Sequence, residues 1–402
     1  MYMDTPTGMR DFNPDEMKIR ANMEHILRNL FYTFGYDEID TPAMEFIETL
    51  TKKGGEEIQK QIFKIEKEDI GLRFDLTVPL ARYVTNRLDL MKPFKRFHIG
   101  KVWRNEEAQK GRYREFIQCD VDIIGVKSIW AEIELLLLAE EGLKRLGFNP
   151  PRENFLINDI EFLHSFAETY NVDDPFFYRT IDKFDKIGKE GVFKLLKQKF
   201  DNTQEIMHIL FKKYSEDEKF DIIKQFNINA YNRMKKIKQE FGGELTLHLV
   251  RGLDYYTGPV FEVKLSNEIG SVIGGGRYDH MLELFGQKNY AVGLSFGFDR
   301  LYYLIKMQYK IKDEGVYVVT VGDVSKYVLD IVSLLRNEGI RTNMNFEKRS
   351  LKNQMEYAVK THHRFVIIIG EREIKTNSIT LKDLITGKQQ ILKRDEIVKF
   401  LK

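Results

Sequence analysis

Apolar positions early in the chain recur at helical spacing: Met23, Ile26, Leu27, Leu30, Phe31 and Phe34 share one face. Asn13-Pro14-Asp15-Glu16 supplies the start signal, with a capping Asn, Pro at the first helical position and Glu three residues after the cap; Gly35 supplies the stop. An extended stretch, residues 36–41, then runs into Pro42, which bars its predecessor from the helical region. Residues 95–104 and 114–124 read as two strands around a polar loop, 105–113, followed by a helix capped by Ser128 and closed by Gly147.

From about 159 to 241 the pattern is helical and charge-rich, without turn-linked strands, and it interrupts two strand-rich stretches. It predicts a helical insertion over residues 160–241. Strand patterns return at 245–265 and 291–296, with a helix after Gly297. Within the first of these, Leu249 and Val250 read as an apolar strand that delivers Arg251, and then Tyr255 and Tyr256, into a turn. The tail alternates strand and helix: strand 316–321, a helix capped by Ser325 and ending at Gly339, strand 340–346, a helix capped by Ser350, and a buried strand 365–369. That rhythm predicts a compact mixed or parallel sheet covered by helices.

Length changes this picture by requiring more than one core: 402 residues fit two or three domains. With 43% hydrophobic and 31% charged residues the composition is that of an ordinary globular protein, not a disordered one. The net charge of +2 hides a mildly basic tail on a slightly acidic body, compatible with nucleic acid but also with a plain solvated surface. A single cysteine, Cys119, excludes an internal disulfide framework and fits a reducing compartment. No signal-peptide pattern opens the chain, and its most apolar runs are far too short to cross a bilayer. A soluble cytoplasmic protein is expected.

The chemistry concentrates on arginines and one strand face. In residues 114–123, Arg114, Phe116, Gln118, Asp120 and Asp122 alternate with Ile117, Cys119, Val121 and Ile123. A half-exposed sheet would look the same. An aromatic on the polar face, after the loop Lys110-Gly111-Arg112-Tyr113-Arg114, favours a cleft lined by carboxylate, amide and guanidinium. Arg104, Arg112, Arg251 and Arg300 are candidate phosphate ligands, because a guanidinium stays charged and grips phosphoryl oxygens through a fixed fork. Gly274-Gly275-Gly276-Arg277-Tyr278-Asp279 is neither a dinucleotide fingerprint nor a P-loop; it is a tight turn or a backbone that approaches a ligand closely. The eight histidines lack metal-ligand spacing, and His362 and His363 fall near the end of a helix. No protein metal site and no Ser/His/Asp or cysteine nucleophile is expected.

Taken together, Thr7-Gly8-Met9-Arg10-Asp11, Val102-Trp103-Arg104-Asn105-Glu106, the stretch from Leu249 through Arg251, Tyr255 and Tyr256 to Gly258, Gly275-Gly276-Arg277-Tyr278-Asp279, and Gly293 to Arg300 resemble the histidyl-tRNA synthetases, a family of class II aminoacyl-tRNA synthetases. The helix 14–34 and the strand ending at Pro42 resemble that class's first motif, which implies a homodimer. The resemblance implies an α/β fold class: a catalytic domain over 1–312 with a mixed, mainly antiparallel sheet flanked by helices, the helical insertion 160–241 within it, and an anticodon-binding α/β domain over 315–402. It implies ATP and Mg²⁺, L-histidine and tRNA(His), and no membrane.

By the same resemblance, Asp75 and Thr77 hold the α-ammonium of histidine, and Gln118 contacts the backbone end of the substrate. Asp122 and Tyr256 hydrogen-bond the imidazole, with Tyr255 beside them. Arg104 and Arg251 bracket the α-phosphate and the substrate carboxylate, which makes them the catalytic pair. Arg112 and Arg300 hold the β- and γ-phosphates and the adenine end. Many bacterial members carry Glu where this chain has Asp75 and Asp122; the shorter side chains keep the charge and change the reach. Three rival readings are a catalytically inactive paralogue acting as the regulatory subunit of ATP phosphoribosyltransferase, a synthetase for another amino acid, and nucleic-acid binding without catalysis, which leaves the four phosphate-type arginines unexplained. The tail domain and the retained arginines argue against the first, the Arg251–Tyr256 segment against the second.

Overall fold

The computed structural model describes residues 4–52, 56–87, 89–107, 113–251, 255–266, 269–308, 314–322, 325–347 and 349–402. The chain divides into two compact units, Met1–Gln308 and Tyr309–Lys402.

The strands of the first unit are β1 Asp37–Glu38, β2 Met44–Phe46, β3 Ile70–Leu72, β4 Phe94–Trp103, β5 Glu115–Ile124, β6 Phe155–Asp159, β7 Glu244–Leu245, β8 Pro259–Lys264, β9 Ser271–Arg277 and β10 Ala291–Gly297. Eight of them form one sheet in the order β1-β4-β5-β10-β9-β8-β6-β7, and β2 pairs with β3 alone. The inner pairings are antiparallel and the two outermost parallel, so the sheet is mixed and mainly antiparallel.

The first helix spans Pro14–Thr33, and its predicted start is present in full. Asn13 Oδ1 accepts from the amides of Asp15 and Glu16 at 3.0 and 2.9 Å, and Glu16 Oε2 accepts from Asn13 N at 3.0 Å. Gly35, at φ +76°, makes the left-handed turn that ends it. Leu27, Leu30 and Phe31 pack with Leu135 and Leu138 of the helix Trp130–Arg145 against Cys119, Val121 and Phe296 of the sheet. That covers the apolar face of β5 and leaves the polar face toward the site.

Six helices fill the span between β6 and β7: Ile160–Thr169, Pro175–Asp182, Phe184–Leu196, Thr203–Phe211, Glu216–Phe226 and Ile228–Glu240. Their buried residues, Phe162, Phe166, Val192 and Met234 among them, belong to the same apolar cluster as the sheet. Asp159, fully buried at the end of β6, caps the first of these helices and takes Arg233 of the last at 2.7 and 3.0 Å.

Residues 249–251 are not a strand. Leu249 and Val250 are buried, as their apolarity requires, but the carbonyls of Leu247 and Leu249 accept from the Asn158 side-chain amide at 3.1 and 3.0 Å rather than from a ladder. A side chain therefore satisfies this backbone, and the segment is free to turn.

In the second unit β11 Val316–Thr320, β12 Thr342–Met344, β13 Phe365–Ile369, β14 Ser378–Asp383 and β15 Gln389–Lys393 form a mixed sheet in the order β12-β11-β13-β14-β15. β11, β12 and β13 run parallel, and the last two pairings are antiparallel. Its core is built on Val316, Val318, Ile331, Leu335, Ile367 and Ile379. Ser350 Oγ caps the helix Leu351–Lys360, accepting from Asn353 N at 3.3 Å. The helix after β11 is described from Ser325 to Asn337, and the side chain predicted to cap it lies outside the described residues.

Candidate active site

Sheet register builds the site, because residues far apart in sequence lie side by side across neighbouring strands. One row runs Arg96, Asp122, Gly293, Gly276, Val260, and the next runs His98, Asp120, Ser295, Gly274, Glu262. Glycine and serine at the centre leave the backbone bare, and the charged residues stand at the two sides. The result is a cavity of about 250 Å³ with a floor of peptide and walls of carboxylate, guanidinium and phenol.

Asp75, Thr77, Arg104, Gln118, Asp122, Arg251, Tyr255 and Tyr256 all line this one cavity. Asp75 Oδ1 also accepts from Val78 N at 3.0 Å, and so satisfies one amide in the first turn of the helix Thr77–Thr85. Arg104 is braced by Nε to Phe74 O at 3.0 Å and reaches Gln118 Oε1 at 3.5 Å. Gln118 Nε2 donates to Asp120 Oδ1 at 3.2 Å. The Tyr255 hydroxyl donates to that of Tyr256 at 3.1 Å, and burial pushes the Tyr255 phenol up to about 12. Arg300 lies in the first turn of the helix Phe298–Gln308 as the sequence predicts, with Nη1 on Ser271 O at 2.5 Å, and is not on the cavity wall. Arg112 lies outside the described residues.

Arg251 rests on the bare backbone of Gly274, where a Cβ would overlap its guanidinium. Its Nη1 is 3.5 Å from Glu262 Oε2. The side chain lies deep but keeps 28% of its surface open to the cavity. Burial works against its charge, and Glu262 with the nearby phenols and Asp182 outweighs it, so its pKa stands above the ordinary arginine value.

Asp122 is held from two sides. Arg96, fully buried, places Nη2 2.7 Å from Asp122 Oδ2, close enough to pair ionically but without hydrogen-bond alignment. The Tyr278 hydroxyl donates to Asp122 Oδ1. Burial first, then the Asp122 charge, push the Tyr278 phenol well above its usual range and keep it a donor. Arg96 carries no site role in the sequence reading, whereas Asp120, Tyr278 and Ser295 fall in the strand face and motifs it singles out, without an assigned contact. The alternation of Arg96 and His98 along β4 was the available signal, but it marks a polar face without saying which strand faces it.

His98 does not balance the charge of Asp120. Burial, then the positive Arg96 and Arg73, lower its pKa to about 3 and keep it neutral. Asp120 rises to about 7, through burial first and Asp122 second. A carboxyl whose folded-state pKa exceeds its unfolded one binds an extra proton when folded. Its contribution to stability is full below the unfolded value, near 3.9, and is lost as pH rises toward about 7. Asp120→Asn should therefore raise the melting temperature at about pH 8 and change it little at about pH 4. Calorimetry across that range checks this, and an equal difference at both ends would contradict it.

Among the described residues no group of three or more His, Cys, Asp or Glu could hold a metal ion.

Residues 8–301 match the family model of histidyl-tRNA synthetase, and residues 315–402 that of an anticodon-binding domain. Among similar proteins, the histidine–tRNA ligase of Phocaeicola vulgatus is 35% identical over 449 aligned positions, covering 99% of this chain and 98% of that one. The histidine–tRNA ligase of Aeropyrum pernix is 36% identical over 428, covering 98% and 96%. The structure of histidyl-tRNA synthetase from Nostoc sp. superposes with a TM-score of 0.84 at 28% identity, covering 100% of this chain and 99% of that one. A Bacillus halodurans structure described as an ATP phosphoribosyltransferase regulatory subunit/histidyl-tRNA synthetase gives 0.75 at 21% identity, covering 92% and 98%, and shares the fold.

Proposed function

The chain belongs to the histidyl-tRNA synthetase family, and we propose that it is an active histidine–tRNA ligase. The observation that carries this reading is the meeting of the eight histidine-site residues, from three sequence-distant segments, around one cavity. In the proposed reaction a carboxylate oxygen of L-histidine attacks the α-phosphorus of ATP, the bond to the β-phosphate oxygen breaks, and pyrophosphate leaves. A terminal ribose hydroxyl of tRNA(His) then takes the acyl group and AMP departs. The protein's work is positioning and charge stabilisation, so no protein nucleophile is required.

Arg104 and Arg251 line the cavity and are assigned to the α-phosphate and the substrate carboxylate. Arg112 and Arg300 are assigned to the β- and γ-phosphates and the adenine end. Mg²⁺ would enter as the ATP complex and neutralise charge on the leaving pyrophosphate. Asp75, Thr77 and Gln118 are assigned to the backbone of histidine, and Asp122 with Tyr255 and Tyr256 to its ring. A site that pairs both imidazole nitrogens rejects analogues lacking them, since its own buried polar groups would go unpaired.

Tyr256→Phe is expected to raise KM for histidine about threefold to tenfold, the scale of one neutral hydrogen bond, and to leave KM for ATP unchanged. Unaltered histidine kinetics would remove Tyr256 from the ring site. Charging of tRNA(His) by the purified protein tests the whole reaction. Residues 315–402 support tRNA as the partner through their match to anticodon-binding domains. The exposed side chains Met44 and Phe46, 50% and 64% accessible beside the segment read as the first motif, support a homodimer. Cytoplasmic action is part of the proposal: Cys119 is a buried free thiol, and no helix among the described residues is long and apolar enough to cross a membrane.

The regulatory-subunit reading is less well supported. The retained Arg104 and Arg251 on the cavity favour catalysis; residues 315–402 do not discriminate, because the Bacillus halodurans structure covers 92% of this chain.

A further inference from the structure

The N-terminal segment, residues 7–10, lies along residues 113–117, the limb that leaves the polar loop between β4 and β5. Arg114 N donates to Gly8 O at 2.9 Å, and Arg114 Nη1 to Thr7 O at 3.4 Å. Gly8, at φ +80°, adopts a conformation that favours glycine, and a Cβ there would fall 2.6 Å from Arg114 Cγ. Arg10 stacks on Tyr113, with Cζ 3.2 Å from the ring centroid, and its Nη2 donates to Asp299 Oδ1 at 2.7 Å.

Asp299, only 5% exposed, is the hub of this arrangement. Its Oδ1 also accepts from Arg20 Nη1 at 2.7 Å, and its Oδ2 from Ile117 N at 3.0 Å. Two guanidinium groups and an amide therefore meet on one buried carboxylate, which fixes its direction. Two arginines hang on this assembly. Arg300 is the next residue after Asp299, and the Arg104 amide donates to Arg114 O at 2.8 Å.

We propose that residues 7–10 form a clasp that positions the arginines of the nucleotide site, with Arg10 as its central positioning residue. This rests on the assignment of Arg104 and Arg300 to ATP. Arg10 acts through Tyr113 and Asp299. Its planar fork stacks on a ring and pairs with a carboxylate at once, which a lysine does less well. First-contact groups keep their geometry only when a second layer locks them, and the clasp supplies that layer.

The test is the Kd of Mg·ATP, by calorimetry on the full chain, beside KM values in ATP–pyrophosphate exchange. Arg10→Ala should raise Kd and KM for ATP about tenfold, with a smaller change in KM for histidine and an unchanged melting temperature. Arg10→Lys should fall between Arg10→Ala and wild type. Arg10→Ala combined with Tyr113→Leu should be no worse than the poorer single variant, because both break one contact. ATP constants within about twofold of wild type in folded Arg10→Ala would overturn the clasp. So would a loss shared equally by histidine and ATP with a lowered melting temperature. Wild-type protein that binds ATP yet shows no exchange would refute the proposed activity and leave the clasp to be judged on Kd. Failure to bind ATP at all would overturn both.

Discussion

Gly274→Ala should lower kcat for histidine-dependent ATP–pyrophosphate exchange by about 10²–10³-fold, the loss that follows removal of one preorganised charge-stabilising group, while the protein keeps close to its wild-type melting temperature. Gly274 sits between Ser295 and Glu262 in the sheet, and the Arg251 guanidinium lies directly on it. An added methyl would occupy the space of that guanidinium and stand 2.9 Å from its Nε. What obstructs the methyl is the far end of a flexible side chain, not backbone. The sheet therefore survives, and Arg251 swings off the reaction centre. Arg251→Ala should lose as much, and combining the two should lose no more, since each removes the same guanidinium. Exchange within about tenfold of wild type would remove Arg251 from the chemistry.

Gly293→Ala should act on histidine instead. A Cβ at Gly293 would overlap Asp122 Oδ1 and lie 2.7 Å from its Cγ and 3.0 Å from Val121 O. Asp122 has little room to retreat, because Arg96 and Tyr278 hold both its oxygens. Displacing it should cost one charge-assisted hydrogen bond to the imidazole, about 1.5–3 kcal/mol, or roughly ten- to hundredfold in KM for histidine. KM for ATP should stay within about twofold. Some loss of stability is expected here, unlike at Gly274, because backbone also stands in the way. An equal rise in both KM values would mean that Asp122 does not read the ring.

How legible these features were depended on whether the signal ran along one element or across several. The capping box at Asn13 and the period-two face of β5 are local, and the structure shows both as the sequence predicts. The rows that make the cavity floor are not local. Gly293 meets Asp122, and Gly274 meets Ser295, only after three strands take their register, and no spacing within a strand reveals its partner. Arg96, and the contact of Tyr278 with Asp122, went unread for the same reason. Leu249 and Val250 misled in the opposite way. Their burial is real, but Asn158 satisfies the backbone around them, so apolarity did not mean strand. The helical span after β6 was visible from its charge-rich helical pattern. Its shared core with the sheet was not, because the apolar faces that join the two are separated by long stretches of chain.

The most direct test of the account is ATP–pyrophosphate exchange with purified protein and Mg²⁺, offering each amino acid separately. Exchange supported by histidine alone is the predicted result, and it would establish the adenylating chemistry and the ring site at Asp122 and Tyr256 together. Exchange supported by a different amino acid, or none from folded protein, would contradict it.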